Sequence, residues 1–184
     1  MTPAKPSSPL LRLALVAAIA VAVGPNSART QDLAGQASVI DGDTLEIHGK
    51  RIRLWGIDAP EHDQLCRGDD SLPYRCGAVA AVKLDAFIGH RPVYCTLKEI
   101  DRYGRTVASC RADAADLGEW LVGDGLALDW SRYSKGRYSA AQRNAERAGR
   151  GMWAGSYVEP LEYRACVRAG GRPAECSDDA TAHP

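Results

Sequence analysis

Apolar and polar residues alternate three times in quick succession after position 36. Ala37–Asp41, Thr44–His48 and Arg51–Ile57 each read as a strand with one face toward a core. Gly42 and Gly49-Lys50 fall between them, where tight hairpin connections need residues that tolerate unusual backbone angles. The segment in front, Arg29–Gln36, is a polar lead-in. From Gly77 the period changes. Val79, Val82, Leu84 and Phe87 recur at helical spacing among good helix formers, predicting a helix over Gly77–Ile88. Alternation returns at Val93–Glu99 and Thr106–Arg111, joined by a turn at Asp101-Arg102-Tyr103-Gly104-Arg105. A short helix with Leu117, Trp120 and Leu121 on its apolar face ends near Gly125. A last one runs from Ser139, as N-cap, to Arg147, before Gly149 and Gly151, with Trp153 packing just beyond it. Three strands, a helix, two strands and further helices predict an α+β chain: a five-stranded OB-fold β-barrel with about three flanking helices.

At 184 residues the chain is long enough for one domain with a real core. Its start reads as an export signal: Lys5 and Arg12, then the apolar run Leu13–Val23, then Gly24, Pro25 and small residues to Ala28. That run is short for a bilayer span, so the expectation is cleavage near Ala28 and no stable membrane partner afterwards. The expected organisation is a signal peptide at 1–28, a domain at 29–156, and a C-terminal tail at 157–184 with one cysteine pair and a disordered Ser-Asp-Asp-Ala-Thr end. Basic and acidic residues number 23 each; without the leader, which holds Lys5 and Arg12 and no acid, the basic count is 21. Bulk charge therefore does not hold a nucleic acid to this protein, and any phosphate-binding surface is local.

All six cysteines follow the leader. An even number in an exported chain points to disulfides. Cys66 and Cys76 bracket one loop, and Cys166 and Cys176 another. Cys95 and Cys110 lie symmetrically about Arg102-Tyr103, which sets them opposite each other across a hairpin. Zinc is the competing use of cysteines, but neither a CxxC pair nor an HxxxH spacing is present.

The chemistry concentrates in Val39–Glu61, where Asp41, Asp43, Asp58, Glu61 and Arg53 stand among short apolar runs. Each piece has an ordinary explanation. Asp-Gly is a turn signal, Asp58-Ala59-Pro60-Glu61 has the form of a helix cap, an arginine in a strand is commonly solvated, and Arg105 ends a hairpin tip. Together they make a different object. Phosphodiester hydrolysis needs an activated water, a cation on the non-bridging oxygens and stabilisation of added negative charge. Carboxylates without His or Cys partners suit calcium, and guanidinium groups suit phosphate oxygens.

The motifs DGDT, RLWGIDAPE and DRYGR, in that order, resemble the staphylococcal nuclease (thermonuclease) family, SNase-like OB-fold nucleases. The likeness runs from Ser38 to Trp153 and includes Gly125-Leu126-Ala127 and the Gly-Met-Trp segment. The resemblance implies an OB barrel and a calcium-dependent hydrolase, an endonuclease of micrococcal-nuclease type. It would cut DNA, with RNA as second substrate, with little sequence specificity and leave 3′-phosphate ends. By this resemblance Asp43, Asp58 and the backbone carbonyl of Ala59 are calcium ligands, and Asp41 orders calcium-bound water from behind them. Glu61 is the general-base candidate, Arg53 and Arg105 bind phosphate, and Arg102 and Tyr103 lie near a terminal phosphate. The family's threonine is alanine at position 59, which preserves a main-chain ligand.

Two departures concern substrate grip. The family's tyrosine pair is half matched, by Tyr133 with Ser131 in the other place, so Trp130 or Tyr138 is the candidate substitute for base stacking. The lysine-rich loop after the Glu is here the more acidic Cys66–Asp70, closed by Cys76. Basic residues gather instead from Arg132 to Arg150, where Arg132, Lys135 and Arg137 are interleaved with Tyr133 and Tyr138. The expected protein is a monomeric, exported (periplasmic or secreted) calcium nuclease with a nucleic-acid substrate. Its rivals are a non-catalytic OB-fold module that binds nucleic acid or protein, and a calcium-stabilised structural domain.

Overall fold

The computed structural model describes residues 1, 2 and 33–177. The leader beyond Thr2 and the polar end after Ser177 lie outside the described residues. The first element, β1 (Leu33–Gly35), falls in the segment read as a polar lead-in: Leu33 packs against the core and pairs with Cys95 across a strand edge. The hairpin runs follow as β2 (Ser38–Asp41), β3 (Thr44–Ile47) and β4 (Lys50–Leu54), an antiparallel meander. Leu45, Ile47, Ile52 and Leu54 face inward and are fully or almost fully buried. Each contributes about 1.5–3 kcal/mol of hydrophobic stabilisation. The opposite face of the same pairs carries Thr44 beside Arg53 and Glu46 beside Arg51.

The run Arg51–Ile57 is not one strand. Gly56 adopts φ +75°, with Ser134 Cβ only 3.0 Å from where a side chain would begin, and the chain turns there. β5 (Ile57–Asp58) consequently leaves the meander and pairs elsewhere, carrying Asp58 with it. A small hairpin, β6 (Cys66–Arg67) and β7 (Pro73–Tyr74), is closed by the Cys66–Cys76 disulfide. Helix α1 (Cys76–Ile88) begins one residue earlier than the periodicity predicts, and its buried stripe is shifted in phase to Cys76, Gly77, Ala80, Leu84 and Ile88. Val82 is 69% exposed, and Phe87 lies at the margin, stacked on Trp120 at 4.1 Å. The small residues Gly77 and Ala80 face inward because α1 packs closely on the Gly42 turn and on Glu61: a side chain at 42 would meet Ala80.

β8 (Val93–Ile100) and β9 (Thr106–Ala112) form the second hairpin, with Cys95 directly opposite Cys110 and disulfide-bonded to it. β9 also pairs in parallel with β4, giving the order β1-β8-β9-β4-β3-β2, and β10 (Ala115–Asp116) adds to β9. The five strands expected of the barrel are β2, β3, β4, β8 and β9. Asp116 caps α2 (Leu117–Gly123) by accepting from the Glu119 amide. β11 (Leu128–Asp129) pairs with β5, followed by α3 (Ser131–Ser134) and α4 (Ser139–Arg147). Ser139 is the first helical residue of α4 rather than its cap; its hydroxyl donates to the Gly136 carbonyl.

The segment read as a tail folds back on the domain. α5 (Pro160–Arg168) and α6 (Pro173–Cys176) are joined by the Cys166–Cys176 disulfide. Val158, Tyr163 and Cys176 make a small core of their own. Buried Gln64 donates to the Val158 carbonyl at 2.6 Å while accepting from the Glu61 amide at 3.2 Å, and the Leu65 amide donates to Ser177. The C-terminal hairpin is thus tied to the loop that carries Glu61. Among the described residues no helix is long and apolar enough to cross a membrane.

Candidate active site

Arg53 leaves β4 on the polar face of the meander and ends between two acids from different elements. It donates to Asp43 Oδ1 at 3.0 Å and lies 2.8 Å from Asp43 Oδ2, and it donates to Asp58 Oδ1 at 2.9 Å. Its side chain is 13% exposed and theirs less. Asp43, at the turn before β3, also accepts from the Thr44 hydroxyl at 3.0 Å and from the Ala59 amide at 3.4 Å. Asp58 reaches this point because of the Gly56 turn. Strand alternation alone does not decide whether Arg53 faces inward or outward. The break after Leu54 decided it by bringing a second carboxylate across. The Asp58–Glu61 segment forms no helix: Asp58 ends β5, and Glu61 lies in the loop three residues beyond it.

Burial pushes the Asp43 carboxyl above its ordinary range, and Asp58 reinforces that, while Arg53 and the Thr44 and Ala59 bonds oppose it. Asp41 is raised to about 6, first by burial and then by the charges of Asp43 and Glu61; its bond from the Gly42 amide and nearby His62 pull the other way. A carboxyl that holds its proton more tightly when folded weakens the fold as pH rises from its ordinary 3.8 through about 6. In chelator, Asp41→Asn should therefore raise the melting temperature at pH 7.5 and leave it unchanged near pH 4, measured by thermal unfolding across pH. A difference that persists undiminished at pH 4 would refute the assignment.

Asp41, Asp43, Thr44, Arg53, Glu61, Arg102, Tyr103, Arg105 and Trp130 line one cavity of about 580 Å³. The structure thereby brings together residues that the sequence reading drew from two hairpins. Arg105 is held at the rim: its Nε donates to Asp101 Oδ2 at 2.7 Å, and the Asp101 side chain also accepts from the Tyr103 and Arg105 amides. Gly104 has φ +76°, the left-handed turn position. Arg102 donates to the Tyr103 hydroxyl at 2.8 Å, and both Arg102 and Arg105 lie over the Tyr103 ring. An adjoining cleft of about 310 Å³ is walled by Trp55, Trp130 and Tyr133, with Arg53 between the two spaces. Trp130 meets Tyr133 edge to face at 4.5 Å. Trp130 and Tyr133 thus both line this cleft. Tyr138 does not: it is buried against Trp55 and reaches Asp116. Nor does Arg137 face the cavity, since it pairs with Asp116.

Three lining residues were missed from the sequence: Leu161, Arg164 and Arg168, all on α5. Their spacing of three and four places one helix face against the cleft. Pro160 in the first turn and the Cys166–Cys176 loop were the available signals for this helix. Arg164 grips Asp58 with both terminal nitrogens, at 3.0 Å and 2.8 Å, and donates to Glu61 Oε1 at 3.0 Å.

As a donor set, Asp41, Asp43, Asp58 and the Ala59 carbonyl are all oxygen, which fits calcium in chemistry. Asp43 and Asp58 are paired with guanidinium groups and Asp41 accepts from the Gly42 amide, and among the described residues no three His, Cys, Asp or Glu side chains converge as a ready-made metal cage.

Fold and cleft together define an OB-type barrel protein whose cavity sets carboxylates against arginines. The chain belongs to the staphylococcal nuclease homologue family, whose model matches residues 51–155. It is 46% identical over 125 residues to the succinoglycan biosynthesis protein ExoI of Rhizobium meliloti (strain 1021), a match spanning 67% of this chain and 65% of that one. An uncharacterized endonuclease of Haemophilus influenzae is 31% identical, covering 68% and 69%. A micrococcal nuclease of Shigella flexneri is 27% identical, covering 68% and 76%. The match to ExoI thus spans just under two thirds of that relative's length.

Proposed function

We propose that this protein is an exported calcium-dependent nuclease that hydrolyses phosphodiester bonds of DNA and RNA with little sequence specificity. The observation that carries the reading is the single cavity in which Asp41, Asp43 and Glu61 face Arg53, Arg102 and Arg105. The same acids alone would make a metal-binding domain, and the same arginines alone an anion-binding one. Asp43, Asp58 and the Ala59 carbonyl would hold calcium, with Asp41 behind them; bound calcium supplies a positive centre for the phosphate oxygens. Glu61 faces the cavity and accepts the proton of an attacking water. Arg53 and Arg105 donate to the non-bridging oxygens, and this stabilisation grows as charge builds in the transition state. Tyr133 and Trp130 offer ring faces to a base, a contact indifferent to sequence, while Arg102 and Tyr103 sit where a terminal phosphate would lie.

The rhizobial relative is named for a polysaccharide process, but the cavity's guanidinium groups match a phosphate diester rather than a neutral sugar. Three disulfides support residence outside the reducing cytosol, in periplasm or medium, and a monomer accounts for the site within one chain. The test incubates the mature protein with single-stranded DNA, duplex DNA and RNA, in calcium and in chelator. Cleavage in calcium that stops in chelator is the expected result. Intact substrates in calcium would overturn the proposal in favour of a non-catalytic binding module.

A further inference from the structure

Arg164 lies more than a hundred positions from the acids it holds and belongs to none of the motifs that define the site. Its guanidinium forms a two-pronged bond to Asp58 and a third contact to Glu61. These are the calcium ligand and the base of the function proposed above. Its side chain is 20% exposed, at the edge of the same cavity. Burial works against its charge, but the bonds and charges of Asp58 and Glu61 outweigh that and hold the guanidinium firmly protonated. Among Asp41, Asp43, Asp58, Glu61, Arg53 and Arg164 the formal sum is four negative against two positive charges. Arg53 and Arg164 are the cations ion-paired with Asp43, Asp58 and Glu61, while Arg102, Arg105 and Arg168 line the same cavity.

Three of the roughly four lone-pair sites of Asp58 are occupied by guanidinium groups in this arrangement. Its Oδ1 accepts from both Arg53 and Arg164, and its Oδ2 from Arg164. A calcium ion ligated by Asp58 would sit at about 2.3–2.6 Å from a carboxylate oxygen, where it would meet the guanidinium already bonded there. Like charges at that range, in a partly dry site, do not share a carboxylate at equal strength. The helix itself is well anchored, by Tyr163 and Val158 in their small core and by the Cys166–Cys176 link. The long arginine side chain can swing while α5 stays in place.

We infer that Arg164 is a built-in counter-cation for Asp58 and Glu61, and that a divalent metal gains Asp58 only by displacing it. The C-terminal helix thereby sets the protein's calcium affinity. This rests on the reading that these carboxylates bind calcium. A purely structural ion pair is the competing account; it predicts lost stability without a change in affinity when Arg164 is removed.

The experiment is calcium titration by calorimetry of the mature protein as wild type, Arg164→Ala and Arg164→Lys, with no nucleic acid present. A coupling of ordinary size predicts about tenfold tighter calcium binding by Arg164→Ala, with Arg164→Lys between it and wild type. As a measurement that needs no variant to fold, nitrogen NMR of the wild type should show one arginine guanidinium released from its ion pair as calcium is added. Equal affinity of wild type and Arg164→Ala, or guanidinium signals unmoved by calcium that binds, would overturn the inference while the calcium reading stands. Absence of calcium binding in every protein would overturn both.

Discussion

Arg53→Ala should lower phosphodiester cleavage by about a hundred- to a thousandfold, the usual loss when one donor aimed at the developing charge is removed. It should also cost about 3–5 kcal/mol of stability, because it strips a buried ion triad of its centre. Asp43 is buried and already held above its ordinary carboxylate range by that burial. Without Arg53 its charge has only the Thr44 hydroxyl and the Ala59 amide to face. The two losses separate in a second variant. Arg53→Ala with Asp43→Asn removes both charges of the pair, so urea unfolding should show much of the stability regained. Cleavage should stay at the single variant's level or below it. Full stability in Arg53→Ala would show that the triad is wet and weak. Full activity would show that Arg53 serves the fold and not the phosphate.

The second large effect comes from a glycine outside every motif. Gly77 lies in the first turn of α1, and a Cβ there would fall on the carbonyl of Glu61 and 2.8 Å from that of Pro60. Backbone cannot swing aside as a flexible side chain does. Gly77→Ala must therefore force the helix and the Pro60–Glu61 segment apart. Overpacking of this kind costs about 1–3 kcal/mol, and displacement of a catalytic group by about 1 Å can cost a hundredfold in rate. The expected result is a folded, less stable protein whose cleavage rate falls about a hundredfold while substrate binding is nearly unchanged. Unaltered turnover would mean that Glu61 does not depend on the position of its backbone, and would weaken its assignment as base.

The elements legible in the sequence share one property: their information is local. Leu45, Ile47, Ile52 and Leu54 alternate with polar residues, and alternation specifies a half-buried strand whatever the partner. Cys95 and Cys110 flank a turn almost symmetrically, and a register shift between Leu97 and Glu99 sets them opposite each other across the hairpin. Gly104 needed a left-handed angle and has one. The inward phase of α1 was misjudged because Val79, Val82, Leu84 and Phe87 are the larger apolar residues. The close approach to the Gly42 turn and Glu61 selects instead the small Gly77 and Ala80. Hydrophobicity marks which residues can be inside; the shape of the opposing surface selects which ones are.

The site divides along the same line. Asp41, Asp43, Arg53, Asp58 and Glu61 lie within one short stretch, and the motifs DGDT, RLWGIDAPE and DRYGR carried the family by themselves. Charge partners were decided only by tertiary structure. The turn at Gly56 sets Asp58 beside Arg53, β9 beside β4 sets the Arg105 hairpin at the rim, and the return of the chain through Gln64 and Val158 sets Arg164 upon Asp58 and Glu61. An ion pair needs its groups within a few ångströms, and residues 106 apart in sequence carry no periodicity that records such a distance. The acids were written in the sequence; the cation that now sits on two of them was placed by the fold.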